Sequence, residues 1–239
     1  PIGRFAGTPG GPQGPAPEVA AQAGADFSGQ EETRRSSAWR DGHAKTHPLS
    51  GITVLEFATF IASPWATALL ADLGARVIKV EPTTGDLYRI MMFPKMCKTI
   101  QGKEALALDL KDPRCREVIH KLIAKADVLL HNYRPGAPER LGIDYETARK
   151  LKPDILYMYA GAYGSTGPHH KRAGFHPIAG AITGGPRHQI GESVLPSPEQ
   201  TLSLDEVQRV SDVLRHSNET NPDPAAALAC ATATMLGLY

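Results

Sequence analysis

Residues 52–81 alternate between two short apolar runs and one helical segment, and this order limits the folds open to the chain. The runs ITVLEF (52–57) and ARVIKVE (75–81) have the length and β-branched content of buried strands. Between them, Ser63 is a predicted N-cap, with Pro64 at the first helical position and a glycine at the end of the segment. A strand, a helix and a strand within about 30 residues predict a parallel pair with a right-handed crossover.

The same alternation continues along the chain. A third apolar run (104–110) is followed by Asp112 and Pro113, which repeat the cap-and-proline start of a helix. A fourth run (126–132), a short helical segment and a fifth run (154–160) come next. Strands that alternate with helices predict an α/β fold, with an open, mostly parallel sheet and helices on both of its faces.

The segments outside this alternation differ in composition. The first 48 residues are rich in Gly, Pro and Ala and offer too little apolar area to offset the entropy of ordering. Near the end, a helical stripe at 203–215 interrupts a loop-like stretch, and Asp223 and Pro224 are the predicted N-cap and first position of a last helix. The predicted divisions are an arm or linker (1–48), an α/β domain (49–185), an inserted segment of loop and helix (186–222) and the start of a helix that leads into a missing second half (223–239).

Charge and cysteine usage argue against several functions. The formal net charge of +1 gives no field that would attract nucleic acid or an anionic membrane. No apolar run approaches the roughly 20 residues of a membrane span. Three widely spaced cysteines suit neither a disulfide framework nor a zinc site, which predicts no metal and a reducing, cytoplasmic setting. The first strand-to-helix turn lacks G-x-G-x-x-G, which argues against a dinucleotide cofactor.

Polar and basic residues follow directly on the apolar run of the fourth strand. Asn132, Arg134 and Arg140 are close together in the turn at this point. Ligands of open α/β sheets bind outside the carboxyl ends of the strands, so these residues predict an anionic ligand. Solvated surface salt bridges are the alternative explanation for the two arginines.

Four motifs then occur in an order that resembles one enzyme family. They are F-x-x-x-x-A-S-P-W-A-T-x-L-L-A-D-L-G-A-R-V-I-K-V-E-P (57–82), K-x-x-L-A-L-D-L-K (103–111), N-Y-R-P-G-x-x-E-R-L-G-I-D-Y (132–145) and G-A-Y-G-S-T-G-P (161–168). Together they resemble the family III CoA-transferases, the group that holds formyl-CoA transferase, carnitine CoA-transferase and α-methylacyl-CoA racemase. The resemblance covers about residues 48–185 and, more loosely, 221–239.

The resemblance implies an interlocked homodimer of open α/β subunits with coenzyme A at the sheet edge. It further implies transfer of CoA from an acyl-CoA to a free carboxylic acid through an aspartyl anhydride and thioester, and Asp223 matches the attacking carboxylate. Without the resemblance, Asp223 is simply a helix cap. The same match gives the CoA-binding residues, to which Arg134 is added on its charge alone: Phe60, Ala62, Leu108, Lys111, Asn132, Tyr133, Arg134 and Arg140.

Departures from the family pattern keep two alternatives open. His176 stands one position after Phe175, where the racemase branch has its histidine, yet His176 and Asp223 are a candidate acid–base pair for a racemase or epimerase acting α to a thioester. Ala227 replaces the glycine usual after the carboxylate. The family's later half is absent from the sequence, which favours a non-catalytic CoA-binding or dimerisation fragment as the second alternative.

Overall fold

The computed structural model of the protein describes residues 47–87, 89, 94–191, 195–197, 199–216 and 222–239. The predicted arm at 1–48 falls outside these residues apart from its last two positions. All five predicted strands form, and they pair in parallel in the order β3-β2-β1-β4-β5. The predicted parallel sheet is therefore confirmed. The strands are β1 (Thr53–Phe57), β2 (Arg76–Glu81), β3 (Glu104–Ala107), β4 (Val128–His131) and β5 (Leu156–Tyr159).

Helices cover both faces of the sheet, as predicted. Neighbouring strand residues point to opposite faces, so Val54 packs in one buried cluster and Leu55 in another. The first cluster contains the first and last helices, and the second contains the helix after β3. The helices are α1 (Ala62–Asp72), α2 (Pro113–Ile123), α3 (Ala137–Leu141), α4 (Tyr145–Leu151), α5 (His176–Thr183), α6 (Gly185–Ile190), α7 (Leu204–His216) and α8 (Pro222–Leu238), with a 3-10 helix at Pro94–Thr99.

One of the three predicted helix caps is confirmed and two are wrong. The Asp112 side chain accepts a hydrogen bond from the backbone N–H of Arg114, so the predicted cap of α2 is confirmed. The predicted cap Ser63 is wrong, because α1 begins at Ala62 and Ser63 is buried in its first turn. The prediction that Asp223 caps α8 is also wrong. That helix begins at Pro222, so Asp223 lies inside the first turn.

The first turn of α8 holds two prolines, which is compatible with its start at Pro222. Prolines are tolerated throughout a first helical turn, whose N–H groups have no partners within the helix. Pro222 and Pro224 therefore both fit in the first turn of α8. In the segment predicted as an insertion, the helix at 203–215 is confirmed as α7, whereas residues 186–190, predicted as loop, belong to α6. The domain boundaries themselves stay predictions.

Candidate active site

A cleft of about 570 Å³ opens at the carboxyl ends of β1, β4 and β5. Strand β1 lies between β2 and β4, so the connections that leave β1 and β4 run to opposite sides. This switch point is where open α/β sheets bind their ligands. The cleft is lined by the turn after β1 and the start of α1 (59–63), the turn after β4 (132–135), the segment from the end of β5 (159–162), the segment before and at the start of α5 (170, 172–176 and 179) and one side of α8 (222, 223, 226, 229 and 230).

The turn after β1 is held in an unusual conformation. Phe60 has a φ of 67°, the left-handed region that residues with a side chain rarely adopt. Asn132, just after β4, accepts a hydrogen bond from the N–H of Thr59, just after β1 (3.1 Å), and donates one to the C=O of Thr59 (2.8 Å). The ring of Phe60 meets that of Phe175 edge to face, with 5.4 Å between centroids. The turn is thus fixed from two directions.

Asp223 and His176 meet at the wall of this cleft. Nδ1 of His176 lies 3.9 Å from Oδ2 of Asp223. The side chain of His176 is 37% exposed and that of Asp223 is 17% exposed, so both are reachable from the cleft. Asp223 lies in the first turn of α8, where N–H groups and the helix dipole stabilise negative charge. A positioned, accessible carboxylate of this kind can act as a nucleophile or as a base.

The structure brings most of the predicted site residues together. Seven of them line the cleft: Phe60, Ala62, Asn132, Tyr133, Arg134, His176 and Asp223. Three lie outside its lining. Leu108 is partly buried against the core cluster that contains α2. Lys111 is exposed after β3, and Arg140 is exposed on α3. The binding roles of all ten residues stay predictions.

A buried cluster of charged side chains lies next to the turn after β1. Glu56 on β1 pairs with Lys79 on β2 at 2.8 Å and with Lys103 at 2.6 Å, and all three are almost fully buried. Lys79 also pairs with Asp86 at 2.8 Å and donates to the C=O of Ala58. Two ammonium groups and two carboxylates balance in charge, which offsets the cost of burying them.

The ammonium group of Lys103 also ties α1 to the segment that precedes β3. It donates to the C=O of Pro64 (2.7 Å) and the C=O of Thr99 (2.6 Å), and it contacts the hydroxyl of Thr67 at 2.8 Å. Burial lowers the pKa of Lys103 to about 8, although the charge of Glu56 opposes this effect. Burial raises the pKa of Glu56, but Lys103 and Lys79 outweigh it and hold that pKa below its ordinary value. Glu56 is therefore ionised at neutral pH.

His131, at the end of β4, is buried in an aromatic cluster. Its ring stacks on Tyr159 at 5.1 Å and meets Tyr157 edge to face at 5.2 Å. Burial lowers the pKa of His131 to about 4. The neutral ring accepts a hydrogen bond at Nδ1 from the N–H of Tyr133 (3.3 Å), one of the cleft residues.

No group of three or more His, Cys, Asp or Glu side chains among the described residues is arranged to hold a metal ion. None of the helices in that part of the chain has both the length and the apolar character needed to cross a membrane.

The family model of "CoA-transferase family III" matches residues 49–211. The chain belongs to this family. The match begins just before β1 and runs through α6 into α7, so it includes the strands, the turns that line the cleft, and His176. Asp223 lies beyond its end.

Two named relatives and one solved structure are similar to the chain. The chain is 38% identical over 152 residues to the beta subunit of succinyl-CoA–L-malate CoA-transferase of Chloroflexus aurantiacus, covering 60% of this chain and 38% of that protein. It is 39% identical over 145 residues to mouse succinyl-CoA:glutarate CoA-transferase, covering 57% and 33%. The crystal structure of Rv3272 from Mycobacterium tuberculosis superposes with a TM-score of 0.61 at 30% identity, covering 80% and 49%. The chain thus spans well under half the length of both enzymes.

Sequence reasoning about this CoA-transferase family III chain missed four buried residues near the cleft. Glu56 and Lys79 did carry a signal, because each places a charge inside an otherwise apolar strand, at positions that pair across β1 and β2. Lys103 and His131 gave no comparable signal. Their burial depends on contacts with α1 and with β5, which are remote in sequence.

Proposed function

We propose that the protein transfers CoA from an acyl-CoA thioester to a free carboxylic acid, with Asp223 as the nucleophile. The observation that supports this best is the Asp223 carboxylate itself. It is partly exposed in a cleft at the switch point of the sheet, in the first turn of α8 and beside His176. Family membership supports the same reaction, and succinyl-CoA, named in both relatives, is a candidate donor.

The proposed reaction balances without a metal, a redox step or a net proton. The Asp223 carboxylate attacks the thioester carbonyl, the C–S bond breaks, and CoA thiolate leaves a mixed anhydride. The thiolate then attacks the aspartyl carbonyl, which frees the donor acid and leaves an aspartyl thioester. The acceptor carboxylate attacks this thioester to give a second anhydride and thiolate. Attack of the thiolate on the acceptor's acyl carbon releases the new acyl-CoA and restores Asp223.

His176 is proposed to orient and stabilise Asp223 rather than to abstract a proton. A racemase would need an acid and a base on opposite faces of the substrate's α-carbon. The 3.9 Å between Nδ1 of His176 and Oδ2 of Asp223 leaves no room for a carbon between them. The two side chains therefore suit a transferase better than a racemase or epimerase.

The cleft and its surroundings support a proposed location for CoA. Its thiol end would lie between the turn at Phe60 and Ala62 and the turn at Tyr133, next to Asp223. Its phosphates would reach Arg140 and Lys111, which are exposed beyond the same sheet edge. Charge-assisted hydrogen bonds to phosphate are among the stronger contacts available to a protein. An interlocked homodimer, as the sequence predicts, remains part of this proposal.

The nucleophile can be tested by trapping it in the natural protein. Hydroxylamine added during turnover should convert Asp223 to a hydroxamate, detected in the peptide by mass spectrometry. Asp223→Asn keeps the side chain's size but removes the nucleophile, and it should lower the transfer rate by orders of magnitude. Asp205→Asn, an exposed position in the first turn of α7, is the matched control and should keep full activity. A fully active Asp223→Asn variant without a hydroxamate would contradict the mechanism, and binding of CoA without any transfer would favour the non-catalytic alternative.

A further inference from the structure

The charges that line the cleft are distributed unevenly. Asp223 is the single carboxylate among the described lining residues, whereas Arg134 and Arg172 both bring cations. Arg134 follows β4, in the turn proposed for CoA. Arg172 instead lies four residues before His176, whose imidazole lies beside the carboxylate of Asp223. No ion pair joins Arg172 to a carboxylate within the part of the chain that the structure describes.

The segment from Arg172 to His176 is fixed at three successive points. A Cβ on Gly174 would lie 2.3 Å from Cβ of Ala162, so the two backbones approach as closely as glycine allows. Phe175 rests on Phe60, and His176 contacts Asp223. Because four residues of chain span at most about 14 Å, the Arg172 backbone must lie within that distance of His176. An arginine side chain and a short substrate can together bridge this gap.

His170 is held next to Arg172 by its own hydrogen bond. Nδ1 of His170 lies 2.6 Å from the C=O of Gly167, and since a carbonyl can only accept, Nδ1 carries the proton. The backbone N–H of Arg172 donates to the C=O of His169 at 2.8 Å, which closes the turn between the two cleft residues. The turn therefore presents an imidazole and a guanidinium from one short stretch of chain.

We propose that Arg172, supported by His170, binds the second carboxylate of a dicarboxylic acid whose first carboxyl group reacts at Asp223. This inference rests on the proposed function. The planar guanidinium matches a carboxylate with two parallel hydrogen bonds, a geometry that lysine does not provide. CoA does not compete for this cation, because its phosphates are separated from the thioester by the whole pantetheine arm. Arg172, on the chain segment that holds His176 beside Asp223, would therefore meet the acyl group or the acceptor acid.

The test compares acids that differ by one carboxylate. The natural protein is assayed with acetyl-CoA as a monocarboxylic donor and with pairs of acceptors of equal carbon number, such as succinate with butyrate and glutarate with pentanoate. Wild type should prefer the diacid of at least one pair. Arg172→Gln should lower kcat/KM for that diacid by about 10- to 100-fold, the usual range for a lost charge-assisted hydrogen bond, and change the monoacid by less than about threefold.

Two further variants separate charge from geometry. Arg172→Lys keeps the charge without the planar fork and should recover only part of the diacid activity. Lys171→Gln removes an exposed neighbouring cation that does not line the cleft, and it should behave as wild type. Unchanged urea midpoints would show that the variants are folded.

The outcomes distinguish this inference from the proposed function. An equal loss of kcat/KM for the diacid and the monoacid in Arg172→Gln would overturn the inference while leaving CoA transfer intact. The same holds for a wild type that accepts monoacids and prefers the diacid in none of the pairs. A wild type that transfers CoA to no acid, and yields no hydroxamate, would overturn the proposed function and the inference together.

Discussion

The side-chain amide of Asn132 makes two hydrogen bonds with the backbone of a single residue, Thr59. Its Oδ1 accepts from the N–H, and its Nδ2 donates to the C=O. The amide thereby continues the pairing of β1 with β4 beyond Phe57 and His131, the last residues in register. Thr59 directly precedes Phe60, whose left-handed backbone would otherwise be costly. Asn132 therefore positions the turn that lines the cleft, whether or not it also touches a ligand.

Asn132→Asp should weaken both the fold and the site. Aspartate can still accept from the N–H of Thr59, but its second oxygen then faces the C=O, so one hydrogen bond is replaced by repulsion. We expect the free energy of unfolding to fall by about 1–3 kcal/mol, the range for an unsatisfied polar group. CoA should bind more weakly because the turn at Phe60 loosens. Urea denaturation and titration calorimetry measure the two effects.

The control for this charge change lies on α7. Gln208→Glu adds the same charge at an exposed position and should alter neither quantity by a measurable amount. An Asn132→Asp variant as stable as this control would show that the two hydrogen bonds to Thr59 do not hold the turn.

Arg140 and Lys111 should contribute to CoA affinity through the phosphates alone. Both are exposed and lie outside the lining of the cleft. Replacing either by Ala should raise the Kd for CoA by about 10- to 100-fold, equivalent to 1.5–3 kcal/mol for a hydrogen bond to a charged group. Pantetheine, which has no phosphate, should bind each variant as it binds wild type. Arg149→Ala, exposed on α4, is the control. Equal weakening for CoA and pantetheine would contradict this placement of the phosphates.

The sequence predicted the sheet well because each strand is a short local segment whose apolar residues stand close together in sequence. Val54, Leu55 and Phe57 fill both core clusters from one strand, and such runs are recognisable without knowledge of their partners. The exact first residue of a helix is harder to predict from the sequence. Ser63 and Asp223 each stand beside a proline at a plausible cap position, yet the helices begin at Ala62 and Pro222, and Ile61, which precedes α1, makes no capping hydrogen bond with its side chain.

The candidate site could be predicted from the family motifs and from the polar and basic residues that follow β4. Phe60, Tyr133 and Asp223 were found through the family resemblance, and the structure places them around one cleft. The environment of Lys103 depends on α1 and the 3-10 helix, which the chain brings together only by folding. The same is true of His131, whose neighbours come from β5. Burial of a polar side chain is a property of the tertiary structure.

His131 should make the protein less stable in mild acid. The pKa of His131 is lowered to about 4 in the folded protein, against about 6.5 when unfolded. Between these values the unfolded chain binds a proton that the folded one does not, so the free energy of unfolding falls as pH drops from 6.5 to 4. The full contribution is about 3 kcal/mol, from 1.36 kcal/mol for each pKa unit.

The comparison that isolates this effect uses His131→Phe, which keeps an aromatic ring against Tyr159. Urea unfolding measured from pH 7 to pH 4 should show a smaller loss of stability for this variant than for wild type. His188→Phe, at an exposed position on α6, should follow the wild-type profile. Parallel profiles for wild type and His131→Phe would mean that His131 is not held neutral by its burial.

Lys103 joins the buried charge cluster to α1 and to the 3-10 helix. Its ammonium group reaches Glu56, Thr67 and the carbonyls of Pro64 and Thr99, and none of these has access to bulk water in its place. Lys103→Met fills similar space but leaves Glu56 with one paired cation, Lys79, besides the hydrogen bond from the Thr67 hydroxyl. We expect the free energy of unfolding to fall by about 3–5 kcal/mol, as when one partner of a buried pair is removed. Lys121→Met, exposed on α2, should cost less than about 0.5 kcal/mol.

A double-mutant cycle separates the lost charge pair from lost packing. Glu56→Gln removes the carboxylate that Lys103 neutralises and leaves Lys79 paired with Asp86. In Lys103→Met with Glu56→Gln, the charges that remain are again balanced. The double variant should therefore lose less stability than the sum of the two single variants, by at least about 1 kcal/mol. Urea denaturation of the four proteins measures this difference. Strict additivity would show that Glu56 and Lys103 do not stabilise one another, and that Lys103 acts only through the carbonyls of Pro64 and Thr99.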